Sequence, residues 1–458
     1  MGSVHPIDTQ IYGNGFSVPT MRELFDEANV QEQRLRFEAA VACEQAKMGI
    51  IPQSAADEIE QACDVQSIGL QRIAELTAET QNDIVALTRA AGEQMSEEGR
   101  EYIHYGLTSQ DVHITGRALV LKQAVPLIDD ALEALEDVLL AMAEQYRDTV
   151  MIGRTHGQHA LPITFGFKVA GWAYVVSQQR QSFEQVQKRL LVGSVKGAVG
   201  THAVWDQEGL ELERRVMDRL GLGCTPISLQ PSEERYAEYL NWCAVISTII
   251  GRICAELRGL HRTEVGEVHE GFDTGKQVSS STMPHKRNPE WSEATQGIAY
   301  KIRANAQAML SVFQEHERDG TRNPAEQLLL AETTILTHKM IVTLQNGLQK
   351  LEVNVGRMWR NMDMTGGLIA AEYLTFALAQ RSGAKQTAHA AIYRCAMRSV
   401  EEEISFQSAL TEDQFVSRFM QEDELCTLIE EAKKHVGTAP LQVDRVLQIL
   451  RGEKEPAG

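Results

Sequence analysis

The 458-residue chain carries 44 Lys and Arg against 63 Asp and Glu, a formal net charge of −19. With 43% hydrophobic and only 23% charged residues it has material for a sizeable core, and wholesale disorder is excluded. The acidic balance excludes a broad basic face that would release phosphate counterions, so nucleic acid is not expected as a bulk partner. A small anion held in a locally basic pocket is untouched by that argument.

Proline is absent between Pro52 and Pro126 and again between Pro324 and Pro440, which suits long helices better than a loop-rich β protein. In chain order, residues 1–112 read as an N-terminal helical domain, with Phe37, Ala40, Cys43 and Ala46 at helical spacing. Residues 113–361 read as a central domain of long helices, expected over Leu119–Tyr146, Pro162–Leu191, Arg235–Glu270, Trp291–Val312 and Ala325–Leu351. In the third of these, Tyr239, Cys243, Ile246, Ile250, Ile253, Leu257 and Leu260 keep one apolar stripe on one face. If continuous it spans about 54 Å, at about 1.5 Å per residue, and needs other long helices beside it in the same chain or another subunit. Residues 362–458 form a C-terminal helical domain, beginning where Gly366 and Gly367 interrupt the pattern. The fold class expected is all-α.

The start, Met1 to Pro6, lacks a basic segment followed by an apolar run, so no secretory signal is expected. The most apolar window, Ala244 to Leu257, is broken by Ser247, Thr248, Arg252 and Glu256, so no membrane span is expected either. Seven scattered cysteines without a C-x-x-C pair read as reduced thiols of a cytoplasmic protein.

Small polar residues concentrate in three places. His104-Tyr105-Gly106-Leu107-Thr108-Ser109-Gln110-Asp111 offers hydroxyls and amides suited to a carboxylate, and equally suits a capped helix start. Gly153-Arg154-Thr155-His156-Gly157-Gln158-His159 places two histidines three apart, expected at the opening of a long helix, where anion binding or proton transfer is favoured. The spacing is not that of a metal-binding H-E-x-x-H pair, and neither metal nor cofactor is expected. The third cluster, Gly275 to Pro289, has three consecutive serines and two prolines, which make it a loop and not a helix. Read alone it is a polar surface loop with a positive patch. It also holds a serine that becomes a base if Lys286 and backbone N–H donors stabilise its alkoxide.

Together these blocks resemble the fumarase/aspartase superfamily, in the branch holding adenylosuccinate lyase and 3-carboxy-cis,cis-muconate cycloisomerase. His104–Asp111, Gly153–Gly166 and Ser280–Pro289 are similar to its three signature blocks, in order, with Ser279 where the loop signature has Gly. The resemblance implies a three-domain subunit whose long central helices form a tetrameric bundle, a homotetramer with active sites shared by three subunits. It implies a small dicarboxylate-type substrate and anti β-elimination that releases fumarate. Ser280, with Ser281 beside it, would be the base, Lys286 and Asn288 would hold the carboxylate, and His156 would serve the leaving group. Thr108 and Ser109 would grip a second carboxylate, with Gln110, Thr155, Met283, His104, Asn82, Arg235, Arg318 and Arg322 lining the substrate.

The departures bear on the substrate. Where adenylosuccinate lyase usually has Thr-Arg-His-Asp, this chain has Thr80-Gln81-Asn82-Asp83; its Gln-Arg-Asp-Arg becomes Ser232-Glu233-Glu234-Arg235. The phosphate-facing segment becomes His316-Glu317-Arg318-Asp319-Gly320-Thr321-Arg322-Asn323-Pro324-Ala325-Glu326-Gln327. Two arginines that could grip phosphate are thereby lost, at about 1.5–3 kcal/mol each. The reading is a C–N lyase acting on an N-substituted aspartate other than adenylosuccinate. Adenylosuccinate lyase, a muconate cycloisomerase and, outside enzymes, a crystallin-like structural homologue are the alternatives.

Overall fold

The computed structural model describes residues 4–228, 234–273, 275–278, 280–312 and 318–452. Ser232, Glu233, Ser279, His316 and Glu317, named above, lie outside the described residues. The described residues are all-α apart from two small two-stranded antiparallel sheets, one a hairpin and one joining strands distant in sequence. Its principal elements are α1 (Glu27–Lys47), α2 (Gln53–Ala62), α3 (Leu70–Thr80), α4 (Asp83–Gly92), α5 (Ser109–Gln145), β1 (Val150–Thr155), β2 (Gln158–Thr164), α6 (Phe165–Leu190), α7 (Glu208–Leu220), α8 (Glu234–His261), β3 (Val268–His269), α9 (Glu290–Leu310), α10 (Arg322–Gln349), β4 (Glu352–Val353), α11 (Val355–Asn361), α12 (Ala371–Ser382) and α13 (Lys385–Glu401).

The chain divides into two compact units: Met1–Glu133, Gln178–Gly251 and Thr295–Thr343 form the first, and Ala134–Ser177, Arg252–Ala294 and Leu344–Gly458 the second. In the first, α1 to α4 pack Leu35, Ile59, Ala86 and Leu87 into one apolar cluster. A neighbouring cluster joins Phe37, Ile84, Val112 and Leu119 to Trp205, Leu212 and Val216. The first unit also stacks Phe183 on Trp242 at 4.1 Å, and the Trp242 indole N–H donates to the Gln179 carbonyl. In the second unit Leu374, Leu378, Ile392, Phe406 and Leu410 form the core of the C-terminal helices.

The seven stripe residues of α8 are all 0–2% exposed, as the spacing predicts. This helix is long and apolar enough to cross a membrane, but 56% of the relevant window is buried within the chain. It ends at His261 and does not run to Glu270. The apolar stripe stops at Leu260, the Glu267 N–H donates back to the Leu260 carbonyl, and Gly266 takes a left-handed φ of +59°. α5 is longer than expected and continues through Pro126, because Val125 and Ile128 on the same turn are buried and outweigh the missing N–H.

A second correction concerns the histidine pair, which opens no helix. Residues 150–164 form an antiparallel hairpin, with Arg154 paired to His159 and Thr155 to Gln158. Val150, Ile152, Ile163 and Thr164 favour strand, and the two-residue turn His156-Gly157 has φ of +53° and +75°, the left-handed pair a type I′ turn requires. α6 begins only at Phe165.

Candidate functional site

In the first unit the site is built on the start of α5. Asp111, 2% exposed, reaches back to the Thr108 N–H at 3.2 Å, as the acidic member of a capping box does. The same carboxylate accepts from the Ser194 hydroxyl at 2.6 Å and from the Lys196 and Gly197 N–H groups at 3.1 and 2.9 Å. It therefore ties the Thr108–Ser109 turn to a glycine-rich segment, Gly193 to His202. The two backbones are in close contact: a side chain on Gly197 would sit 3.3 Å from the Gly106 carbonyl, and one on Gly106 would lie 2.3 Å from the Trp205 ring. The sequence expectations do not include that segment, although its G-x-x-x-G-x-x-G spacing carries the signal. Beneath it the buried Lys196 ammonium meets Glu213 at 2.5 Å.

The same unit brings Gln110 to α10. Asn323 donates to Gln110 at 3.5 Å, and Arg117 binds Asn323 at 3.3 Å and Glu326 at 2.5 Å. Arg322, 5% exposed, lies 3.6 Å from the Glu326 carboxylate. Arg318 takes a left-handed φ of +60°, and its guanidinium is 3.6 Å from where a side chain on Gly200 would begin. Other expected site residues are engaged in the fold. Asn82 caps α4, accepting from the Ile84 and Val85 N–H groups. Arg235 donates to the Val192 carbonyl at 2.7 Å and to the Tyr236 hydroxyl at 3.1 Å. His104, also left-handed at +62°, turns its ring to Glu38 at 2.6 Å. Burial opposes its charge, but the Glu38 carboxylate outweighs burial and raises the imidazole above its ordinary range.

The second unit carries the other two blocks. Thr155 and His156 are exposed at the tip of the hairpin, and His156 is the left-handed turn residue. Left-handed non-glycine residues are uncommon, and Gln81, His104, His156 and Arg318 all fall in or beside the expected blocks. Arg154 is not a free cation: it forms a two-pronged pair with Glu267 at 2.6 and 2.9 Å, and Asn361 also donates to that fully buried carboxylate. His159 is held below its ordinary range, first by burial and then by Arg154, and its Nδ1 has no hydrogen-bond partner among the described residues.

In the serine loop the half-buried Ser280 Oγ accepts from the Met283 N–H at 3.0 Å and the Thr282 N–H at 3.4 Å. Two backbone donors on one hydroxyl oxygen favour its alkoxide. The Lys286 N–H donates to the Met283 carbonyl, and Met283 and Lys286 are exposed while Asn288 is half-buried. Among the described residues no group of three or more His, Cys, Asp or Glu is placed to hold a metal ion.

Comparison with known proteins identifies the family. Residues 15–304 match a family described as lyase, and residues 367–446 match one described as adenylosuccinate lyase C-terminus. The chain is 38% identical over 454 residues to adenylosuccinate lyase of Methanocaldococcus jannaschii, covering 99% of this chain and 97% of the relative. It is 36% identical over 450 residues to N-acetyl-S-(2-succino)cysteine lyase of Dickeya dadantii, covering 98% of each. Among solved structures, 3-carboxy-cis,cis-muconate lactonizing enzyme of Pseudomonas putida superposes with a TM-score of 0.90 at 32% identity, over 97% of this chain and 99% of the other. The chain belongs to the fumarase/aspartase superfamily of lyases, in the branch of adenylosuccinate lyase and 3-carboxy-cis,cis-muconate cycloisomerase.

Proposed function

We propose that the protein releases fumarate from an N-substituted aspartate that carries no phosphate, and so is not an adenylosuccinate lyase. The observation that carries this reading is that the polar groups expected at the nucleotide end are engaged within the fold. Arg235 is spent on the Val192 carbonyl and Tyr236, Arg322 faces Glu326, and Asn82 is a helix cap. A phosphate would find fewer charged donors there than adenylosuccinate requires.

In the chemistry proposed, the Ser280 alkoxide removes the proton beside a carboxylate, and the C–H electron pair passes into that carboxylate as an aci-carboxylate held by Lys286 and Asn288. The pair then forms the double bond of fumarate as the C–N bond breaks, and the departing nitrogen takes a proton from His156. Thr108, Ser109 and Gln110 would hold the second carboxylate. The reading extends to a soluble cytoplasmic homotetramer of three-domain subunits, 1–112, 113–361 and 362–458, with each site drawn from three of them. Exposed Tyr174, Val245, Tyr300, Leu310 and Leu328 on the long helices support such an assembly. Mixing inactive Ser280→Ala and His156→Ala subunits should restore part of the activity; no recovery after subunit exchange counts against shared sites.

A second reading, a succinyl thioether in place of the amine, is favoured by the relative that acts on N-acetyl-S-(2-succino)cysteine. The test is fumarate release, followed by its ultraviolet absorbance, over adenylosuccinate, aspartates substituted with small amines, S-succinyl thiols and carboxymuconate. A small N-substituted aspartate is expected to lead, with adenylosuccinate at least about 100-fold slower in kcat/KM for two missing charged contacts. Preference for adenylosuccinate refutes the substrate reading, and turnover of carboxymuconate alone refutes the elimination.

A further inference from the structure

Both ends of the serine loop converge on one histidine that the proposed chemistry does not use. His261, the last residue of α8, receives the Glu270 backbone N–H on Nδ1 at 3.3 Å, and its Nε2 lies 3.2 Å from the Arg287 carbonyl oxygen. One partner is a donor and the other an acceptor, so the ring that satisfies both is neutral with its proton on Nε2. Glu270 is where the loop leaves and Arg287 is where it returns, between Lys286 and Asn288.

The surrounding contacts fix the same two points. The Glu270 carboxylate, 7% exposed, accepts from the Trp291 and Ser292 N–H groups at 3.1 Å each and so caps the helix that follows the loop. Gly271 runs so close to the Lys350 carbonyl that a side chain would begin 2.3 Å from it. The Arg287 guanidinium lies over the Phe272 ring at 5.4 Å and 3.6 Å from Glu352. His269 meets the edge of His261 at 4.9 Å. The stretch from Ser281 to Arg287, by contrast, is exposed.

We propose that His261 is a positioning residue: by joining the Glu270 amide to the Arg287 carbonyl it closes the base of the serine loop and sets the backbone that carries Lys286 and Asn288. The proposal rests on reading that loop as catalytic. Because both ring nitrogens are taken by backbone, His261 acts through the loop and not on the substrate.

The test compares His261→Phe, which keeps a ring of similar shape and loses both bonds, with His261→Gln, which keeps one donor and one acceptor. The full-length protein is examined by peptide-resolved hydrogen exchange over residues 270–292 and by steady-state fumarate release. His261→Phe should speed exchange there by about fivefold or more and lower kcat by about tenfold, with KM changed less than about threefold. His261→Gln should return both to within about twofold of the parent. Should His261→Phe not fold, His261→Asn, too short to reach both partners, takes its place. Parental exchange in the Phe variant, or equal effects of Phe and Gln, overturns the clasp. Ser280→Ala separates the two ideas: full turnover there refutes the serine reading, while the exchange data still decide the clasp.

Discussion

Replacing Asp111 by Asn changes one atom and one charge, and the geometry says what that costs. Oδ1 accepts from the Ser194 hydroxyl and the Lys196 N–H, and Oδ2 from the Gly197 and Thr108 N–H groups. An amide nitrogen in the Oδ2 position would leave two backbone donors facing a donor. In the Oδ1 position it leaves one, because the Ser194 hydroxyl can turn and accept. The second arrangement is cheaper: one orphaned buried N–H at about 1–3 kcal/mol, plus about 1 kcal/mol for remaining bonds that pass from charged to neutral. The variant should therefore lose about 2–4 kcal/mol, read as a lower urea midpoint at fixed protein concentration. The Thr108 N–H keeps its partner but exchanges a carboxylate for a neutral amide oxygen, a weaker acceptor, so KM for the fumarate-yielding substrate should rise by about threefold. An Asp111→Asn protein with parental midpoint and parental KM would refute the claim that this carboxylate holds the turn proposed to bind a substrate carboxylate.

Ser280→Ala should abolish fumarate release while helical circular dichroism and melting stay at the parental values, and Ser281→Ala should retain activity; the reverse pattern moves the base to Ser281. Gly106→Ala should cost about 2–4 kcal/mol, since φ is +79° and the new methyl would lie 2.3 Å from Trp205; an unchanged urea midpoint contradicts the close packing. Burial pushes His338 down from 6.5 to about 4. The unfolded chain then binds a proton below about pH 6.5 that the folded one refuses, so this contribution to stability is complete above that pH and is lost as pH falls toward about 4. His338→Leu should flatten that part of the stability–pH curve, and an unaltered slope would rule the residue out as its source.

The apolar stripe of α8 was legible in full because a 3.6-residue period is a property of consecutive residues. The loop character of Ser280–Pro289 was equally plain, since Pro, Ser and Gly restrict the backbone locally. The hairpin at 150–164 is not legible in the sequence: its strands are short, and only the left-handed His156-Gly157 turn distinguishes the histidine pair from a helix opening. The role of the Gly193–His202 segment is not legible either, because it depends on packing against Gly106 and on a carboxylate more than eighty positions away.

The sequence by itself determined an all-α chain, its long helices, the three polar blocks and the superfamily they mark. Those features are carried by residue type and spacing along one strand of chain. Only the tertiary structure decided what each charged group faces: Arg154 on Glu267, Arg235 on the Val192 carbonyl and His104 on Glu38. The physical reason is that a buried charge takes the nearest compensating group in space, and these partners lie 43, 66 and 113 residues from it in sequence.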